Sequence, residues 1–377
     1  MEEEINYNEV ILMVNNLIQF YNKLDTIQDY FYEKKKEKVK KLDLTRYNGL
    51  LFNDPTMSPM DMDITFEVLD SNFFNTIVQS IASMPVESQI GRQLNIGVKE
   101  NNTGTYLGFT RIASPVISIK PRSEYFDYTP NSTQVNKHMV NGCQIIPVQP
   151  FGYNYLGGKL IALVSTSHEV RNIFNEKYNQ KCEILHWETT SLYGDIKGTS
   201  MYDGMKPFIR YQGLTESENL LLPTDEVYTP ILKRLREFYG KTEWEGRLVN
   251  PKGSGPKMRE FNKMISIIKN KLKENDIELY NQFNQFIKEK MKAKTKKRFY
   301  YSNYGYDNGM DKIKYGDNVE LVKGENYDKF NLDYMINWWK NKATKRWDKL
   351  KIENSLKTEL EIYTKETIHK KEIQMIR

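Results

Sequence analysis

"QIIPVQPFGYNYLGGKLIALV", residues 144–164, decides how the chain is read. An apolar run ends in Pro150, Phe151 and Gly152. Tyr153, Asn154 and Tyr155 follow, then Gly157 and Gly158, and then apolar residues with helical spacing. The pattern predicts a buried strand, a glycine loop and a helix start. Such a junction presents backbone N–H groups and the positive end of a helix dipole. Lys159 adds a charge in the first turn, so a pyrophosphate suits the loop 149–158. The same glycines equally let a helix pack closely on a sheet. The stretch is neither a P-loop nor a GxGxxG fingerprint, and both readings stand.

Downstream, "CEILHWETTS" (182–191) is a second buried-strand candidate. "HWETTSLYGD" (186–195) places Glu188, Thr189, Thr190, Ser191 and Tyr193 where that strand ends. Ligands of α/β sheets sit beyond the C-terminal ends of strands. This end and the glycine loop would then flank one crevice. A glutamate among apolar residues suits a general base of raised pKa. The competing reading is a core-edge carboxylate satisfied by its neighbours.

Upstream, residues 94–114 form two β-type runs around Asn101-Asn102-Thr103-Gly104, a hairpin signal. Residues 63–69 alternate like a strand, and "NFFNTIVQSIASM" reads as a short helix. Residues 5–40 read as helical and close in a basic, solvated run. Residues 156–178 read as one amphipathic helix. "KPFIRYQGL" is a last strand, and from about residue 225 the chain reads as helical. The order predicts an α/β layer sandwich with a mixed sheet, extended by helices at both ends. The expected division is 1–90, 91–222 and 223–377.

The bulk numbers exclude several classes. Hydrophobic residues at 39% and a net charge of +6 describe a chain with a core. Two cysteines, Cys143 and Cys182, build neither a disulfide framework nor a CxxC pair. They suit a reducing, cytoplasmic setting and burial. The acidic start "MEEEINYNEV" lacks a signal-peptide apolar stretch. No run approaches the ~18 apolar residues of a membrane span. His138, His168, His186 and His369 show no zinc spacing, so no metal is expected. Asp54, Asp61 and Asp63 sit in a Pro- and Met-rich loop, a weak basis for a Mg²⁺ nuclease.

Charge is uneven along the chain. Residues 251–300 carry roughly three Lys or Arg for each Asp or Glu. "KAKTKKRFYYSNYGYDN" (292–308) joins Lys292, Lys294, Lys296, Lys297 and Arg298 to Tyr300 and Tyr301. "NWWKNKATKRWDKL" (337–350) repeats the theme with Trp338, Trp339 and Trp347. Nucleic acid requires cations for phosphates and flat rings for unstacked bases. DNA, duplex or single-stranded, is therefore an expected partner. The competing reading is a solvated helix whose aromatic stripe packs on the core.

The middle of the chain also resembles a known family. "LGFTRIASPVISIKPRSEYFDYTPNSTQVNKHMVNG", "IIPVQPFGYNYLGGKLIAL" and "ETTSLYG" follow the motif order of the DruA-like family, named for a component of Druantia anti-phage systems. Arg122 with Tyr125 matches its R-D-x-W turn. Asn136 with Val140 and Asn141 matches its N-L-x-x-V-V-N-N segment, and Glu188 with Thr189 matches its E-T-F strand end. The match covers roughly residues 94–215, and relatives also occur in phages.

The element order is similar, further, to GNAT-type acyltransferases, including the phage Mom-like proteins that modify DNA bases. Gln149 and Gly152 fill their [Q/R]-x-x-G-x-[G/A] loop, and Asn154 departs from it. The resemblance implies an acyl-CoA or related activated donor held by Gln149, Gly152, Tyr153, Asn154, Gly157, Gly158 and Lys159. It implies Glu188 as base, with Tyr202 or Ser191 protonating the leaving group. The expected function is a DNA-associated transferase, phage-encoded, that modifies nucleobases. The alternative is a catalytically inert DNA-binding component of a replication, defence or counter-defence complex.

Overall fold

The computed structural model describes residues 5–40, 42, 44, 47, 49–87, 89, 91–179, 181–192, 200–246 and 255–368. The N-terminal helical pattern forms two helices, α1 (Tyr7–Tyr21) and α2 (Ile27–Val39). A reciprocal pair of bonds between Thr26 and Asp29 starts the second and explains the break. The strand β1 (Ile64–Val68) and helix α3 (Ser71–Ile81) follow, with Asp70 capping the helix. The hairpin is β2 (Gln93–Glu100) and β3 (Thr105–Ala113). Its inward residues, Leu94, Ile96, Val98 and Leu107, are fully buried.

The mixed connection 115–141 folds into α4 (Lys120–Phe126) and α5 (Ser132–His138), the latter opened by an Asn131–Gln134 capping box. The strand β4 (Met139–Pro147) leads to a single turn, α6 (Phe151–Asn154), and to α7 (Gly157–Ser165). The expected helix 156–178 is divided here. Ser167 adopts an extended conformation and caps α8 (His168–Lys177) by accepting from the Val170 amide. Then come β5 (His186–Ser191) and β6 (Arg210–Leu220).

The described residues between 225 and 289 form helices, as expected: α9 (Asp225–Tyr239), α10 (Lys241–Gly246), α11 (Pro256–Asn275) and α12 (Ile277–Glu289). The basic run that follows is a strand, β7 (Lys292–Ser302). Its β-branched and aromatic residues, Thr295, Phe299, Tyr300 and Tyr301, favour the pleated state. Helices α13 (Gly309–Tyr315) and α14 (Leu332–Ile352) complete the chain's regular structure.

One seven-stranded sheet results, in the order β1-β2-β3-β4-β5-β7-β6. Strands β1 to β4 pair antiparallel, β4 and β5 pair parallel, and β5 and β7 pair antiparallel. The fold is mixed α/β with helices flanking the sheet.

The chain forms two compact units that interleave in sequence: Met1–Lys38 with Ser217–Thr295, and Val39–Glu216 with Lys296–Arg377. A linear division at residues 90 and 222 does not express this. The first unit closes a helical core in which Val10, Leu17 and Tyr21 of α1 are buried with Leu235 of α9 and Phe261 and Ile268 of α11. The second unit buries α7 and the inner faces of α8 and α14 with the central strands. Trp339 of α14 is fully buried and donates its indole N–H to the Tyr155 carbonyl at 3.0 Å. Among the described residues no helix is long and apolar enough to cross a membrane.

Candidate functional site

The strands β4 and β5 pair at only three positions, Met139 with His186, Val140 with Trp187 and Asn141 with Glu188. Both strands continue, β4 to Pro147 and β5 to Ser191, so they part beyond this point. A bulge sits at the parting. Gly142 pairs with Ile112 and Gln144 with Arg111, which leaves Cys143 as the extra residue. The Trp187 indole lies so close to Gly142 that a side chain there would collide with it. The Thr189 hydroxyl donates to the Gly142 carbonyl at 2.7 Å. The chain's own groups therefore close the apex of the wedge.

The loop after β4 is compact. The amides of Gly152, Asn154 and Tyr155 bond back to the carbonyls of Val148, Pro150 and Phe151 at 2.7–3.0 Å. The Tyr153 amide donates to the Gln149 side chain at 3.0 Å. These donors serve a helical turn and are not presented to an anion. Asn154 is fully buried. Its amide donates to the Lys357 carbonyl at 2.7 Å and its oxygen accepts from the Lys357 amide at 3.0 Å. The Gln149 carbonyl accepts from the Glu361 amide at 3.1 Å. Tyr153 lies beneath two cations, Arg346 at 4.8 Å and Lys357 at 4.5 Å from its ring centre.

The helix start is tightly packed. A Cβ at Gly157 would meet the Phe151 ring, and one at Gly158 would meet the Met201 sulfur at 2.7 Å. The two glycines thus serve close packing. Lys159 donates to the carbonyls of Met201, at 2.7 Å, and Asp203. Burial lowers its ammonium pKa to about 8. A pyrophosphate in the expected pose would have to displace the bonds made by the 152–155 amides and by Lys159. The residues present do not fit an acyl-CoA bound there in the usual way.

Glu188 is not placed as a base. It is buried, and the Arg122 guanidinium donates to both of its oxygens, at 3.0 and 3.1 Å. Arg122 is fully buried and also bonds the Val116 carbonyl at 2.9 Å. His186 lies 3.3 Å from the same carboxylate, stacked on Tyr301 and edge-on to Phe126. Burial lowers the His186 pKa against the opposing pull of Glu188. Arg122 and Glu188 therefore meet as a buried ion pair that ties α4 to β5.

The remaining expected chemistry gathers around Asp203. Its carboxylate accepts from the Ser200 amide, Arg298 and the Tyr300 hydroxyl, each at 2.9 Å. Burial pushes the Tyr300 hydroxyl up to about 12. Tyr202 is buried with its ring 5.1 Å from that of Tyr300, and buried Ser191 pairs with Arg298 across β5 and β7. These residues form a packed polar network. Asp203 was not among the expected site residues; nothing in its local sequence marks it.

The basic and aromatic residues divide by face. Tyr300, Tyr301 and Trp339 are buried, so no base can stack on them. Trp338 is half-buried, with Phe208 at its edge. Lys292 pairs with Glu218, Lys296 with Glu216 and Arg298 with Asp203. Lys297 is half-buried with a lowered pKa, and Lys294 is exposed. The thiol of Cys143 is pushed up to about 12 by burial, and Cys182 accepts from Arg92 at 2.7 Å. Among the described residues no group of three or more His, Cys, Asp or Glu could hold a metal ion. Tyr193 and His369 lie outside the described residues.

Comparison with known proteins gives one similarity. A family described as Druantia protein DruA matches residues 32–197. This range contains Arg122, the glycine loop and Glu188, and it spans β1 to β5. No curated protein matches the chain, and no solved structure does.

Proposed function

We propose that this chain is a DNA-binding component of a phage defence or counter-defence complex, built on a GNAT-like core that does not carry out acyl transfer in the usual pose. The observation behind it is the engagement of the donor loop. The amides of residues 152–155, Asn154, Gln149 and Lys159 are bonded to the chain itself, and Glu188 is neutralised by Arg122. The likeness to Druantia protein DruA supports the defence setting. The strand order and the single parallel pair that parts after three residues support the GNAT-like reading of the core.

That same parting supports a second reading, in which an activated acyl donor enters the wedge and is transferred to a nucleobase. One pair of measurements separates the two. Under the first reading the full chain binds DNA with steep salt dependence and takes up no acyl-CoA by calorimetry. Saturable acyl-CoA binding, together with a mass shift in nucleosides after incubation with DNA, would establish the second. Failure to bind DNA at all removes the first.

A further inference from the structure

Helix α14 carries a surface that the packing of the second unit leaves unused. Its inner face is Met335, Trp339, Ala343, Trp347 and Leu350, all buried. Between residues 340 and 352 it carries Lys340, Lys342, Lys345, Arg346, Lys349 and Lys351 against a single acid, Asp348. Lys340 donates to the Met60 carbonyl, and half-buried Arg346 covers the Tyr153 ring. Lys342, Lys345 and Lys349 remain exposed on the outward stripe. Their i, i+3, i+7 spacing puts them on one line over about 10 Å of helix axis.

The stripe continues one and two turns toward the N-terminus through Trp338 and Tyr334. Lys342 is held 4.7 Å above the Trp338 ring, and Phe208 makes an edge contact with that indole. Tyr334 is 46% exposed, so its ring is open to solvent. Rings and cations therefore alternate in function along one line, a stacking surface at one end and a charge track at the other. The acids at its far end are Asp348 and Glu353, the latter 3.7 Å from Lys349.

The geometry points to a single-stranded DNA segment as the occupant of this stripe, phosphates on Lys342, Lys345 and Lys349 and an unstacked base on Tyr334. The charge is complementary to a phosphate chain. A solvent-facing tyrosine in line with it matches a strand with free base faces better than a duplex, whose bases are stacked away. This rests on the DNA-binding reading above and assigns it to residues outside the 292–301 run. It also shifts the nucleic-acid role from Trp339, which is core, to the lysines on the opposite face.

The test is fluorescence anisotropy of the full chain with labelled single-stranded and duplex oligonucleotides of equal length, over a salt series. Lys342→Glu/Lys345→Glu/Lys349→Glu is expected to weaken single-strand binding at least about tenfold and to flatten the log–log salt slope by about 2. Tyr334→Ala is expected to weaken it about fivefold or more at unchanged salt slope. All four positions are exposed, and unchanged thermal melts establish that the variants fold. Wild-type binding that neither variant alters overturns the stripe and leaves the DNA-binding reading intact. Equal or tighter duplex binding with no effect of Tyr334→Ala overturns the single-strand assignment. No binding by the wild-type chain overturns both.

Discussion

Two sets of cations in the second unit make opposite use of charge. Arg122 is buried, has its guanidinium on both oxygens of Glu188, and serves the fold. The outer lysines of α14 project into water from a helix whose inner face already supplies the packing. Burial makes a charge dependent on its partner, because desolvation is recovered only through that partner. Exposure makes a charge inexpensive to hold and leaves it available to a ligand. The residues that read most like catalysts therefore turn out to be the most committed structurally.

The largest effect that sharpens this contrast is on the buried pair. Arg122→Met leaves Glu188 buried without its partner and is expected to cost about 3–5 kcal/mol in urea unfolding. Arg122→Met/Glu188→Met should recover most of that loss, because no charge is then left unpaired. A loss that persists in the double variant would show that the pair contributes more than neutralisation.

Next is Asn154. Asn154→Ala removes both bonds to the Lys357 backbone and is expected to cost about 1–3 kcal/mol. It should also expose the segment after α14 to limited proteolysis. If the cleavage pattern does not change, other contacts hold that segment in place.

The third effect is pH-dependent and comes from His168. Its Nε2 donates to the Tyr327 carbonyl at 2.9 Å, and Arg171 lies 3.4 Å from Nδ1. Burial, reinforced by Arg171, lowers its pKa to about 4. The folded chain therefore binds this proton less readily than the unfolded chain, whose histidine titrates near 6.5. Stability from this group is complete above about pH 6.5 and is lost as pH falls toward 4. Urea midpoints should drop across that window, and His168→Gln should flatten the drop. An unchanged slope would assign the acid sensitivity elsewhere.

The smallest effect on folding is expected where the effect on DNA is largest. Reversing the three outer lysines of α14 should change unfolding free energy by less than about 0.5 kcal/mol each. Removal of a cation would then be severe in one region and nearly silent in the other. A large destabilisation in α14 would erase the distinction.

Much of the fold was legible locally. The hairpin declared itself through Asn101–Gly104, the strand–loop–helix junction through Pro150 and the paired glycines, and α3 through its apolar period. The misread elements are those in which local signals compete. A capped serine divided the helix expected at 156–178, and a lysine-rich run that looked solvated became β7. For the site, the sequence identified Arg122, Glu188 and Lys159 as unusual but not what they face. It also identified the tryptophans of 337–350, where the lysines carry the exposed surface.

By itself, then, the sequence determined most of the secondary elements and their apolar faces, since a period of two or of 3.6 residues is a local property. Tertiary structure decided which charges are spent. Arg122 and Glu188 are 66 residues apart, and Asn154 and Lys357 are 203 apart. It also decided the sheet order, placing β7 between β5 and β6 although β6 precedes it in the chain. A polar group's chemistry depends on its partner and its solvent exposure, and neither exists until distant segments have packed.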